Sequence, residues 1–223
     1  MKFRHEYKHV LTYSEYIALR NRLKVICKKD NNANENSEYL IRSLYFDNYN
    51  NKALMEKIDG VNRREKFRIR YYNDNVDFIR LEKKSKINGL CNKQSSNISK
   101  EQVQSIIDNK YEFLQNHSNE LFMELYYKMT AQRLKPKVIV SYKREVFIYP
   151  AGNVRLTLDT DIRTGLSSLD FLNPNSPTIK AGNNILLEVK YDEFLPEFIR
   201  QTIQIGGRSH SAFSKYAASR MYY

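Results

Sequence analysis

From Arg64 to Tyr72 the chain reads Arg-Glu-Lys-Phe-Arg-Ile-Arg-Tyr-Tyr, and from Lys66 on charged and apolar residues alternate with a period of two. Only an extended strand puts every second side chain on one face. Lys66, Arg68 and Arg70 therefore project together, and Phe67, Ile69 and Tyr71 project the other way. Three cations in a row on one face repel one another at sheet spacing, and ordinary solvated surfaces intersperse the two signs. Such a strand needs a cover for its apolar face and an unusual environment for its charged one.

The pattern recurs along the chain. Glu6 and Lys8 share a face. Arg80, Glu82 and Lys84 lie opposite Ile79 and Leu81. Tyr142 and Arg144 share a face, as do Arg155, Thr157, Asp159 and Asp161, opposite Val154, Leu156 and Leu158. Glu188 and Lys190 lie opposite Leu187 and Val189. A polar face in water accounts for any one such strand. Repeated in a chain that also carries amphipathic helices, the pattern predicts a curved sheet with helices over its apolar face and charged side chains in a lumen. Many Lys and Arg donors converging in a lumen suit the closely spaced oxygens of a phosphate chain. Glu188, Glu6 and Glu82 are candidate ligands for a divalent cation, or salt-bridge partners of the neighbouring bases.

The remaining segments fit an α+β class. Strands are expected at 4–11, 39–46, 64–72, 76–84, 137–149, 153–161 and 184–191. A short strand or loop is expected at 87–93, and a polar loop with a short strand at 169–182. Helices are expected at 14–29, after the capping box Thr12-x-x-Glu15, and after a second box, Ser99-x-x-Gln102. Others are expected at 50–58, 119–134, 196–205 and 212–222, with an Asn-rich loop at 30–37 and a break at Gly206-Gly207. No linker or repeat interrupts the chain, so residues 1–223 read as a single domain.

The net charge of +12 calls for an anionic partner: nucleic acid, an anionic membrane or polyphosphate. Nucleic acid is disfavoured, because the aromatics of the 66–72 stretch lie opposite its arginines and could not stack where the phosphates bind. Cys27 and Cys91 stand far apart and the histidines are scattered, which argues for two free thiols rather than a structural zinc site. No apolar run approaches the roughly 18–20 residues of a membrane span, and the charged start lacks a signal-peptide pattern. A cytoplasmic protein is expected, with membrane association only through a partner.

In these segments the chain resembles the VTC domain, the catalytic domain of vacuolar-transporter-chaperone polyphosphate polymerases, within the triphosphate tunnel metalloenzymes (CYTH-like). The resemblance runs in family order through Arg4-His5-Glu6-Tyr7-Lys8, Ser43-Leu44-Tyr45-Phe46-Asp47, Lys66 to Tyr71, Leu81-Glu82-Lys83-Lys84, Val140 to Phe147, Val154 to Asp159, Leu187 to Tyr191 and Phe213-Ser214-Lys215-Tyr216. It implies a closed antiparallel β-tunnel of about eight strands with helices packed outside. It also implies a phosphotransferase that passes the terminal phosphoryl group of a nucleoside triphosphate such as ATP to polyphosphate, with Mn²⁺ or Mg²⁺. Carried over by motif, Arg68, Arg70, Lys84, Arg144, Arg155 and Lys215 are the catalytic cations. Lys8, Lys66, Lys93, Tyr142, Lys190 and Ser214 bind substrate, and Glu188 with Glu6 holds the metal. Tunnel triphosphatases often carry Glu-x-Glu-x-Lys; here Arg4 stands where the first glutamate would fall, which favours the polymerase. The hydrolase and a non-catalytic polyphosphate-binding module are the alternatives.

Overall fold

The computed structural model describes residues 4–29, 38–204 and 213–222. Its strands are β1 (His5–Leu11), β2 (Lys28–Lys29), β3 (Glu38–Asp47), β4 (Arg64–Tyr72), β5 (Asn75–Ile87), β6 (Leu90–Ile98), β7 (Lys135–Tyr149), β8 (Val154–Gly165), β9 (Thr178–Lys180) and β10 (Ile185–Tyr191). Its helices are α1 (Tyr13–Ile26), α2 (Lys52–Ile58), α3 (Lys100–Ile107), α4 (Glu120–Ala131), α5 (Glu197–Ile203) and α6 (Lys215–Ser219). The sheet is antiparallel, in the order β1-β10-β8-β7-β3-β4-β5-β6, with β2 added to β7 and β9 to β8.

The sheet curls into a half-barrel that is open, not the closed tunnel expected. Its end strands β1 and β6 form no ladder among the described residues. They meet at one bridge, where Arg4 and Cys91 exchange backbone hydrogen bonds of 3.4 and 3.5 Å. Side chains span the gap instead: the Lys84 ammonium on β5 reaches the Glu6 carboxylate on β1 at 2.6 Å.

The apolar faces of the strands are covered as their alternation requires. Under α3 and α4, the helix residues Val103, Ile106, Phe122 and Leu125 pack on Leu44, Phe67, Ile69, Tyr71 and Leu81. Under α1 and α5, Leu19, Leu23 and Ile199 pack on Phe147, Leu156, Leu158, Leu187 and Val189. A third cluster has the opposite strand parity and so lies on the concave side. Ile41, Tyr45, Val138, Val140, Tyr142, Ile162 and Leu186 meet Tyr216 of α6 there, with Ala53 and Leu54 of α2. This layer fills part of the concave face and leaves the remainder to the charged residues.

Local signals set the element ends. Both expected capping boxes form, at Thr12/Glu15 and Ser99/Gln102. Asn73 and Asp74 have φ of 51° and 54°, and Asn88 and Gly89 have φ of 49° and 81°. Positive φ at both central residues makes two-residue hairpin turns that match strand twist. The second turn extends β5 to Ile87 and pairs it with a nine-residue β6, where only a short strand or loop was expected. Asn88-Gly89 is a hairpin signal in its own right.

Other boundaries also differ from expectation. The first helix ends at Ile26, and Lys28–Lys29 pair with β7 instead of continuing it. The last helix is only Lys215–Ser219, continued by one tight turn to Tyr222. A register shift between β7 and β8 beside Asp161, whose φ is 47°, breaks the alternation. Ile162 thus joins the concave cluster, and Asp161 turns away to pair with Arg163. The expected loop at 30–37 and the break at Gly206-Gly207 lie outside the described residues.

Two residues of α1 test this packing. Leu19 is fully buried and Val25 is 85% exposed. Leu19→Ala should lower the unfolding free energy by about 2–5 kcal/mol in urea titrations, and Val25→Ala should stay within about 0.5 kcal/mol of the parent.

Candidate functional site

The concave face holds a cavity of about 520 Å³, within the roughly 300–1,000 Å³ usual for ligand sites. Every residue to which the resemblance assigns a role lines it: Glu6, Lys8, Lys66, Arg68, Arg70, Lys84, Lys93, Tyr142, Arg144, Arg155, Glu188, Lys190, Ser214 and Lys215; Glu82, the third candidate metal ligand, does not. Seven strands deliver them by parity, and the start of α6 adds Ser214 and Lys215. A second hollow of about 450 Å³ shares Glu6, Lys8, Lys66, Lys84, Cys91 and Ser214 with the first, and adds Lys57, Arg64 and Lys86.

Buried carboxylates hold these cations in place. Asp159 is fully buried. It accepts two bonds from the Arg144 guanidinium, at 2.5 and 2.7 Å, and pairs with the Lys215 ammonium. Glu82 accepts from Arg68 Nε at 2.7 Å and from Lys93 Nζ at 3.0 Å. Glu6 takes Lys84 at 2.6 Å and Lys8 at 3.2 Å. Glu188 takes Lys190 at 2.6 Å and stands 3.7 Å from Arg144. A buried charge without a partner costs several kcal/mol, so the carboxylates are what allow this density of bases.

Arg70 differs from these. It donates to the Ser43 hydroxyl at 2.8 Å and to the Tyr142 hydroxyl at 3.0 Å. Lys215 lies over the Tyr142 ring, 4.6 Å from its centroid. The Ser214 hydroxyl accepts from the backbone N–H of Ala217 at 3.3 Å and so caps α6. Tyr216 donates to Asp47, which anchors that short helix to β3.

Ionisation follows the same balance. Burial resists charge on Asp159 and Glu188, yet the bases around them hold both below the usual carboxylate range. Glu6 and Glu82 are depressed in the same way, against burial and, for Glu6, against the neighbouring Glu188. Burial works against charge on Arg68 and Arg144 too, but Glu82 and Asp159 respectively raise them. Burial outweighs the Glu6 attraction at Lys84, which is lowered.

Sequence reasoning left Asp159 without a role and did not place Tyr45. Asp159 stood in the alternating row of β8, but its position between Arg144 and Lys215 depends on pairing with residues 15 and 56 positions away. The Tyr45 hydroxyl accepts from Arg68 at 3.1 Å. Among the described residues no group of three His, Cys, Asp or Glu side chains forms a metal cluster. Glu188 and Glu6 supply hard oxygens on adjacent strands, a set that suits Mg²⁺ or Mn²⁺ when phosphate oxygens complete the shell.

An open antiparallel half-barrel with a basic concave cavity defines a protein of the triphosphate-tunnel type. The VTC domain family model matches residues 3–222, and the chain belongs to that family. Among solved structures, a candidate adenylate cyclase from Bacillus halodurans superposes with a TM-score of 0.55 at 16% identity, covering 91% of this chain and 87% of that one. A protein from Pyrococcus horikoshii is similar over 99% of both chains, with a TM-score of 0.49 at 10% identity. Among curated protein sequences, none matches.

The carboxylate network makes a joint stability prediction. Carboxyl groups depressed in the folded state stabilise it above their unfolded pKa and lose that contribution as pH falls. The melting temperature should hold near neutrality and fall progressively below about pH 4.5, the ordinary value for Glu6, Glu82 and Glu188. At neutral pH, Asp159→Asn should cost about 3–5 kcal/mol in chemical denaturation, because it leaves Arg144 and Lys215 buried without their anion.

Proposed function

We propose that this protein is a metal-dependent polyphosphate polymerase that transfers the terminal phosphoryl group of a nucleoside triphosphate to a polyphosphate chain. The observation that carries this reading is the continuity of two basic hollows, which share Lys8, Lys66 and Lys84. A nucleoside triphosphate alone does not need the second one; a growing chain does.

In this reading a terminal phosphate oxygen of the acceptor attacks the γ-phosphorus of the nucleotide. The bond from that phosphorus to the β–γ bridging oxygen breaks, and nucleoside diphosphate leaves. Phosphoryl transfer asks a protein mainly for alignment and charge neutralisation. Arg68, Arg70, Arg144 and Lys215, fixed by strand parity and ion pairs, would hold the reacting phosphates and stabilise charge on the transferred group. Lys8, Lys84, Lys93, Arg155 and Lys190 would steer the rest of the chain, with hydrogen bonds from Tyr142 and Ser214. Glu188, with Glu6, would hold a divalent ion. Such an ion would supply positive charge against the phosphates and so favour departure of the diphosphate. Glu6 and Glu188 are at present paired with Lys84 and Lys190, bases that the phosphates would also attract.

The test is to incubate the protein with ATP and Mn²⁺, with and without a short polyphosphate primer, and to resolve the products by size. Chain growth is expected, reduced at least about 100-fold in Arg70→Ala, which removes a cation at the transferred group, and lost in Glu188→Ala. Inorganic phosphate without chains would instead establish a triphosphatase, and binding without turnover a polyphosphate-binding module.

A further inference from the structure

Among the described residues most lysines of the cavity pair with a carboxylate, and Lys66 does not. Among the described residues, Lys8 and Lys84 pair with Glu6, Lys93 with Glu82, Lys190 with Glu188 and Lys215 with Asp159. Among the described residues Lys66 meets aromatic faces instead, its Nζ lying 5.3 Å from the Tyr45 centroid and 6.0 Å from that of Tyr216. The nearby acids are already engaged. Asp47 accepts from Tyr216 and from the backbone N–H groups of Ala53 and Leu54. Glu65 binds Lys83 and Lys128, and Glu56 binds Lys52.

The charged groups that face Lys66 are mostly cations: Lys8 from β1, Arg68 from β4, Lys84 from β5 and Lys57 from α2. Glu6 on β1 is held between two of them. Tyr45 faces it from β3, and Tyr216 from α6. Lys66 also stands where the two hollows join.

We propose that Lys66 reads the charge of the ligand: it is neutral in the empty cavity and takes up a proton when a phosphate chain seats beside it. This inference rests on the reading of the cavity as a triphosphate site. Burial, reinforced by Lys84, Lys8 and Arg68, pushes the Lys66 amine down to about 7, against an opposing pull from Tyr45. Tyr45 is the acidic group behind that pull: burial opposes its ionisation, but Arg68, Lys66 and Arg70 bring it down to about 6. A bound chain brings a denser anion than this single phenol, so the Lys66 amine gains a proton from solvent and becomes an ammonium. The site thereby adds a positive charge only for a ligand that repays it. Chains dense in negative charge are favoured over singly charged anions, and an empty cavity is spared one more like charge.

Proton uptake is measured by titrating inorganic tripolyphosphate, without metal, into the protein calorimetrically at pH 8.5, in two buffers of different ionisation enthalpy. Proton exchange by the terminal groups of tripolyphosphate itself is common to all variants, and the Lys66→Arg titration, in which residue 66 is always charged, sets that baseline. Above it the parent should take up about one proton per tripolyphosphate bound. Lys66→Met should still bind but with no uptake above the baseline, because it cannot be charged. Tyr45→Phe should keep the uptake. Binding by the parent without uptake above the baseline, uptake above it that survives Lys66→Met, or uptake lost in Tyr45→Phe alone would each overturn the proposal. Failure of the folded parent to bind tripolyphosphate at all would overturn the functional reading and this inference with it.

Discussion

Repulsion among cations on one face of a sheet is the constraint around which this structure is organised. Lys66, Arg68 and Arg70 on one strand would push one another apart on an ordinary surface. Here each of the neighbouring strands brings either a carboxylate or a hydrogen-bonding hydroxyl to the same face. Glu82 meets Arg68, Ser43 and Tyr142 meet Arg70, and Asp159 meets Arg144 and Lys215. The apolar faces then have no choice of direction. They turn outward, and α1, α3, α4 and α5 cover them.

This arrangement links stability to function. The same carboxylates that let the bases crowd together leave a surplus of positive charge, and a phosphate chain can neutralise it. Glu6 and Glu188 sit among these bases, paired with Lys84 and Lys190. The open seam contributes as well. Where β1 and β6 fail to zip, the contact is made by Lys84 and Glu6 rather than by backbone ladders. An ion pair between side chains therefore stands where a closed barrel would have a backbone ladder.

Much of this was legible in the sequence because period-two alternation reports faces directly. The inward rows of β4, β5, β8 and β10 and the outward core residues opposite them follow from parity alone. The pairing of Asp159 with Lys215 was not legible, since it joins β8 to α6 across a long stretch of chain. The register shift beside Asp161 was also hidden. It substitutes Ile162 for the next charged residue and lets an apolar layer occupy part of the concave face. Closure could not be read either, because parity says which way side chains point and nothing about whether the two end strands meet. The Asn88-Gly89 turn is readable as a hairpin signal, and its two positive φ values carry β5 and β6 well past the expected short strand.

The most direct test of the account is a crystal structure of the protein soaked with inorganic tripolyphosphate. The account predicts phosphate density on the concave face, within hydrogen-bond distance of Arg68, Arg70 and Arg144 and reaching toward Lys66. Density confined to the outer surface, with the concave ion pairs undisturbed, would contradict it.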